Sequence, residues 1–270
     1  MMHIMKSDSL MNRSNNKFLS PLQDFLIEIW TFILIDIKRL SNWIIANIFF
    51  SMVIPFGILL MISLMSPNIT ISMGIIYISG NIITSISNLC ISSLAQSLIG
   101  MRSQNGFEHL ATLPIYRLSP LIGRFVSSAI GTVPSLILMP IIGMLLFKVE
   151  ISMSIWLLAV IIITMIIMTG IGAIIGTCID NYEKSYTVSM IMMFFVMFGT
   201  PVYYSMDVLP YVIRIFQRLL PFSYSLEAMR LLMLTPTLNR IVIMDLIALS
   251  IFMVITLGLT TKFFTWRQRR

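Results

Sequence analysis

The chain has 270 residues, of which 57% are hydrophobic and only 11% charged, and its mean hydropathy is +0.94. Soluble domains usually carry about 25% charged residues to cover a water-facing surface, so this composition excludes an ordinary soluble protein. The formal net charge of +7 does not indicate nucleic-acid binding. It is explained by an excess of Lys and Arg on one side of the apolar segments, as in membrane proteins.

The chain begins with a polar, mildly basic stretch, residues 1–23, that has no apolar core. We predict a flexible cytoplasmic N-terminus there rather than a cleavable signal peptide. The next segment, 24–39, is amphipathic when wound as a helix, and this pattern predicts a helix lying in the inner membrane interface. The start of a long, bent first helix is the alternative. The polar stripe of the segment contains Asp24, Glu28, Thr31, Lys38 and Arg39.

Six apolar segments are long enough to cross a hydrocarbon core of about 30 Å as helices. We predict membrane spans near residues 43–65, 72–98, 121–147, 153–178, 185–206 and 241–263. The second span is rich in Ser, Thr and Asn, so we expect it to pack inside the bundle or to line a cavity. The predicted fold class is therefore an all-α integral membrane protein.

The basic residues set the predicted orientation. With the N-terminus inside, 13 of the 18 Lys and Arg residues fall on the inner side and 5 on the outer side. Because cytoplasmic loops carry the excess of positive charge, both termini are predicted to be cytoplasmic. The expected location is the cell membrane, inner or plasma, with a multi-pass topology.

The inner loop between the second and third spans, residues 102–120, is longer than a connector between neighbouring helices requires. Phe107 and Leu110 form a short apolar face beside Glu108, and Pro114 ends the helical turn. This pattern favours a short helix that docks a soluble partner, and a solvated loop is the alternative.

The outer segment 207–235 is too charged and too often interrupted to form a further crossing. Pro210 and Pro221 divide it, which predicts two short helices that dip into the outer leaflet without crossing it. Glu227 and Arg230 lie three residues apart and can pair on one helix face.

Two stretches, GFEHLATLPIYRLSPLIGR in the inner loop and TPVYYSMDVLPYVIRIFQRLLPFSYSLEAMR before the last span, resemble the permease subunits of type-2 ABC exporters. The resemblance runs from residue 24 to the basic tail, and it implies one type-2 ABC transmembrane domain over 24–270. The family usually has Asn before the second proline of the outer stretch. Here Leu220 stands there, which predicts a weaker helix cap.

The resemblance implies a pore-forming subunit that exports a drug, lipid, polysaccharide or other amphipathic substrate. The partners that it implies are a second permease copy, forming a homodimer, two separate ABC ATPase subunits, and membrane lipids. The second and fifth spans would line the pathway. The coupling residues that it implies are Gly106, Phe107, Glu108, Leu110, Pro114 and Arg117. The residues that it marks in the outer re-entrant segment are Pro210, Arg214, Arg218, Pro221, Glu227 and Arg230.

The chain carries no phosphate-binding loop motif, so we expect no enzymatic activity and no cofactor of its own, with ATP bound by the partner subunit. Two other classes stay open as alternatives. An ion-coupled secondary transporter needs ionisable residues near mid-membrane, and the predicted spans place none there. A polytopic membrane enzyme needs a catalytic constellation, which the sequence does not indicate.

Asp245 is expected to reach the outer interface, and Gly172 and Gly176 form a close-packing G-x-x-x-G pattern.

Overall fold

The computed structural model describes residues 21–41, 44–65, 69–103, 112, 116, 119–179, 181–205 and 210–263, and the regular elements in this part of the chain are helical. In chain order they are α1 Pro21–Ser41, α2 Ile44–Met65, α3 Ile71–Ser87, a π-helix Asn88–Ser93, α4 Leu94–Ser103, α5 Ser119–Phe147, α6 Ile155–Cys178, α7 Tyr182–Gly199, α8 Tyr211–Arg218, α9 Pro221–Leu234 and α10 Arg240–Phe263. Helix α3, the π-helix and α4 follow one another without a break, so the second predicted span is one continuous helical rod.

Local chemistry sets several helix ends. The Oγ of Ser154 accepts a hydrogen bond of 3.2 Å from the backbone N of Leu157 at the start of α6. The Oδ1 of Asn181 accepts one of 2.8 Å from the N of Glu183 at the start of α7. Helix α7 ends at Gly199 rather than at the predicted 206, because Thr200 precedes Pro201 and a residue before proline avoids the helical region.

Within the described part of the chain, four helices are long and apolar enough to cross a membrane: Ile71–Met101, Ile122–Phe147, Ile155–Cys178 and Arg240–Lys262. They correspond to the second, third, fourth and sixth predicted spans. For the first predicted span, the described residues provide the shorter apolar helix Pro55–Met65. The fifth corresponds to α7, whose first turn contains Glu183 and Lys184 and is therefore less apolar. Six crossings thus remain a prediction.

The helices alternate in direction, and their ends gather at two ends of the bundle. At one end, the backbone N of Ser152, between α5 and α6, donates a hydrogen bond of 3.0 Å to the carbonyl of Met233 in α9. The start of α3 lies there too, since a Cβ added at Gly74 would lie 2.7 Å from the Cγ2 of Val149. At the opposite end, a Cβ at Gly123 near the start of α5 would lie 2.5 Å from the Cβ of Phe32 in α1.

The rod formed by α3 and α4 lies at the centre of the bundle, and 71% of its most apolar 18-residue stretch is buried. Helix α10 lies at the periphery, and only 22% of its corresponding stretch is buried. Helix α6 approaches the rod closely at the predicted G-x-x-x-G pattern. A Cβ at Gly172 would lie 2.7 Å from the carbonyl oxygens of Cys90 and Ile91 in the π-helix. A Cβ at Gly176 would lie 2.9 Å from the carbonyl oxygen of Ala95. Both glycines are therefore required by backbone contact between two helices.

Candidate functional site

The predicted coupling residues Gly106, Phe107, Glu108, Leu110, Pro114 and Arg117 lie outside the described residues. Tyr116 and Ser119, at the end of the same loop, are described, and they fix where the chain enters α5. The backbone N of Ser119 donates a hydrogen bond of 3.1 Å to the carbonyl of Tyr116. This hydrogen bond holds Tyr116 beside the start of α5.

Glu28 connects α1 to this turn. Its Oε2 accepts hydrogen bonds from the backbone N of Tyr116 at 2.9 Å and from the Oγ of Ser119 at 2.8 Å. The ring of Phe25 meets that of Tyr116 edge-on, with centroids 5.4 Å apart. The amphipathic pattern predicts a water-facing stripe for Glu28, yet only 6% of this side chain is exposed. The structure instead turns the carboxylate into the protein and leaves apolar side chains such as Trp30 outside.

The outer segment contains the two short helices that the prolines predict. Pro210 is the residue before α8 and Pro221 is the first residue of α9. Leu220 occupies the cap position of α9 without a side-chain hydrogen bond, which agrees with the weaker cap expected there. Whether these helices dip into a leaflet remains a prediction.

Arg230 on α9 joins three parts of the chain. Its Nε donates to the Oγ of Ser79 on α3 at 3.2 Å. The two Nη atoms donate to the backbone carbonyls of Pro201, Val202 at 3.2 Å and Tyr204 at 3.4 Å, in the stretch after α7. These carbonyls follow the end of a helix, and the guanidinium acts as a cap supplied by another helix.

Glu227, the predicted ion-pair partner of Arg230, accepts none of the hydrogen bonds described above for Arg230. Glu227 is exposed, and the hydrogen bonds of Arg230 go to carbonyl and hydroxyl oxygens instead. An arginine guanidinium keeps its positive charge in proteins, and this charge strengthens the hydrogen bonds from Arg230 to the carbonyls.

Helix α8 turns a polar side chain toward the protein interior and exposes most of its large apolar side chains. Its Gln217 is only 1% exposed, and the Nε2 of this residue donates to the Oη of Tyr204 at 3.0 Å. The Oε1 of Gln217 is buried without a hydrogen-bond partner among the described residues. Large apolar side chains point outward instead: Tyr211, Val212, Ile213, Ile215, Phe216 and Leu219. Arg218 is exposed at the end of the helix.

Several polar side chains of α3 are buried inside the bundle and donate hydrogen bonds there, which agrees with the expected packing, although the Oδ1 of Asn81 and the Oγ of Ser85 have no partner among the described residues. The Nδ2 of Asn81 donates to the carbonyl of Pro55 in α2 at 2.7 Å. The Oγ1 of Thr84 lies 3.2 Å from the Oη of Tyr203. Asp245, expected to reach the outer interface, is instead 4% exposed, with its Oδ2 lacking a partner.

The helical bundle, with its long apolar helices, defines a multi-pass membrane protein. A family model for the ABC-2 type transporter matches residues 31–234, so the chain belongs to the ABC-2 type transporter family. It is accordingly an ABC transporter permease, a transmembrane subunit that is not itself an enzyme, and permeases of this family typically work with an ATPase subunit. No curated protein matches the chain.

Proposed function

We propose that the chain forms the transmembrane pathway of an ATP-driven exporter and couples to a separate ATPase subunit. The observation that carries the proposal is the family match over residues 31–234 of a bundle of long apolar helices. ATP would be bound and hydrolysed by the partner, and the permease would change shape in response.

The proposed topology has six crossings with both termini in the cytoplasm. Two features support it: the excess of Lys and Arg on one side of the predicted spans and the alternation of helix ends between the two ends of the bundle. The end that holds α1 and the turn at Tyr116 would be cytoplasmic. The end that holds α8, α9 and the start of α10 would be external.

The exposed apolar side chains of α8 support a position of this helix in the outer leaflet. A helix that buries Gln217 and exposes Val212 and Phe216 would be costly in water, because its apolar area would remain hydrated. In the acyl region of a bilayer the exposed apolar side chains are favourable, and the Nε2 of Gln217 donates to the Oη of Tyr204 inside the protein.

The ATPase would dock on the loop 102–120, with Glu108 as the principal polar contact. A second permease copy would complete the pathway, most simply as a homodimer. The exported substrate would be a drug, a lipid, a polysaccharide or another amphipathic molecule.

The proposal is tested by purifying the tagged chain from its own cells under mild detergent. We expect an ATPase subunit with a phosphate-binding loop to co-purify, and the complex in liposomes to hydrolyse MgATP. A chain that moves solute on a proton or sodium gradient without any ATPase would favour the secondary transporter instead. Turnover of a lipid or peptide by the chain alone would favour the membrane enzyme.

A further inference from the structure

The carboxylate of Glu28 on α1 reaches across to the end of the loop 102–120, where it contacts Tyr116 and Ser119. It is 6% exposed, and it accepts two hydrogen bonds at a single oxygen, Oε2. A buried carboxylate is costly unless donors compensate it, so these two bonds hold the turn against the helix.

The neighbouring contacts make α1 and the entry to α5 one packed unit. The edge-on ring contact of Phe25 with Tyr116 lies one turn before Glu28. One turn after Glu28, Phe32 lies so close to Gly123 that even a methyl group at that glycine would clash. Displacing the turn therefore requires α1 to follow or the two hydrogen bonds to break.

We propose that Glu28 is a positioning residue that locks the end of the loop 102–120 to helix α1, so that movement of the loop is passed to α1 and α5 together. This inference rests on the proposed function, in which the ATPase acts on that loop. The coupling route then includes α1 and is not confined to the loop and the spans that it joins.

Two independent measurements test the lock. The first is tryptic cleavage after Arg117, beside the turn, in detergent-solubilised protein, with cleavage after Lys184 as the internal reference. Replacing Glu28→Ala removes the acceptor of two hydrogen bonds. Because a hydrogen bond to a charged group contributes about 1.5–3 kcal/mol, cleavage at Arg117 should be roughly tenfold to a hundredfold faster. Asp24→Ala, one turn earlier on the same helix, is the matched control and should cleave like the native chain.

The second measurement is MgATP hydrolysis by the co-purified complex in nanodiscs, expressed per bound ATPase subunit. A purely structural loss would lower the yield of complex but leave this rate unchanged. We expect Glu28→Ala to lose most of the rate, while Glu28→Gln, which keeps an acceptor oxygen, stays within about fivefold of the native complex. Ser119→Ala removes one donor and should fall between them.

The outcomes separate the lock from the proposed function. Unchanged cleavage at Arg117 in Glu28→Ala would overturn the lock. Faster cleavage with an unchanged rate per ATPase would overturn its role in coupling, and so would a Glu28→Gln variant as defective as Glu28→Ala. If the native chain recruits no ATPase, the proposed function and the coupling role fall together, while the cleavage test still decides whether Glu28 anchors the loop.

Discussion

The Nε of Arg230, on α9, donates a hydrogen bond of 3.2 Å to the Oγ of Ser79, on α3, across 151 residues of sequence. The same guanidinium caps the carbonyls of Pro201, Val202 and Tyr204, where the chain has left α7. Backbone carbonyls outside regular helices need donors from the protein or from water. Arg230 supplies such donors, and in doing so it links α9 to α3 and to the stretch after α7.

Replacing Arg230→Ala should destabilise the protein strongly, because several buried carbonyls lose their donor at once. The expected loss is on the order of 2–4 kcal/mol, since each unsatisfied buried group costs about 1–3 kcal/mol. Arg230→Lys should recover only part of it, because an ammonium cannot reach carbonyls on both sides as the planar guanidinium does. Thermal unfolding in detergent measures the effect. Arg218→Ala, an exposed neighbour, is the control, and equal shifts in both alanine variants would contradict the capping role.

Replacing Gly172→Val should separate α6 from the π-helix. A Cβ there would lie 2.7 Å from the carbonyl oxygens of Cys90 and Ile91, and backbone cannot yield as a flexible side chain can. Overpacking of this kind typically costs about 1–3 kcal/mol. Gly258→Val is the matched control, because a Cβ at Gly258 meets nothing within 4 Å. Gel filtration and thermal unfolding compare the two variants, and similar behaviour would refute the close contact.

Hydropathy, together with helix-capping and helix-breaking residues, predicts most helix bounds to within a few residues. The last span, for example, is predicted at 241–263 and observed as Arg240–Phe263. These features act locally, so a single sequence contains them. The partners of Glu28 lie 88 and 91 residues away, and no local pattern encodes them. Helical periodicity therefore identifies a polar stripe on α1 but not that its carboxylate turns inward.

In the outer segment too, the helices can be predicted from local sequence, whereas the side chains that they bury cannot. Two prolines are enough to predict two short helices, because proline ends one helix and starts another. Which side of α8 faces inward depends on the Oη of Tyr204 and the carbonyl of Gly199, which receive the amide of Gln217. Sequence spacing gives no sign that Gln217 is buried, because burial of this side chain is a tertiary effect.

Cysteine labelling tests the proposed topology. In a chain with Cys90 and Cys178 replaced by alanine, a single cysteine at the exposed Asn239 should react with a membrane-impermeant thiol reagent added outside intact cells. One at Thr112, also exposed, should be protected until the cells are opened. Gln217→Cys should react poorly because the position is buried. Labelling of both 112 and 239 from outside would rule out the six-span arrangement.

Charge reversal tests the docking loop. Glu108→Lys should weaken co-purification of the ATPase subunit at least tenfold while leaving membrane insertion intact. The reason is that losing one partner of a buried charge pair costs about 2–5 kcal/mol, whereas a rim charge matters little. Glu183→Lys, an exposed acidic residue at the start of α7, is the control and should bind normally. Native binding by the Glu108→Lys protein would show that this carboxylate is only solvated.

The source of energy is the central claim, and reconstitution measures it most directly. The purified chain is placed in liposomes alone or with the ATPase that co-purifies with it, and MgATP hydrolysis and solute movement are followed with and without a proton or sodium gradient. The account predicts no hydrolysis and no gradient-driven transport by the chain alone, and ATP-dependent outward movement relative to the ATPase side by the complex. Gradient-driven uptake by the chain alone, with hydrolysis by the ATPase unaffected by the chain, would contradict it.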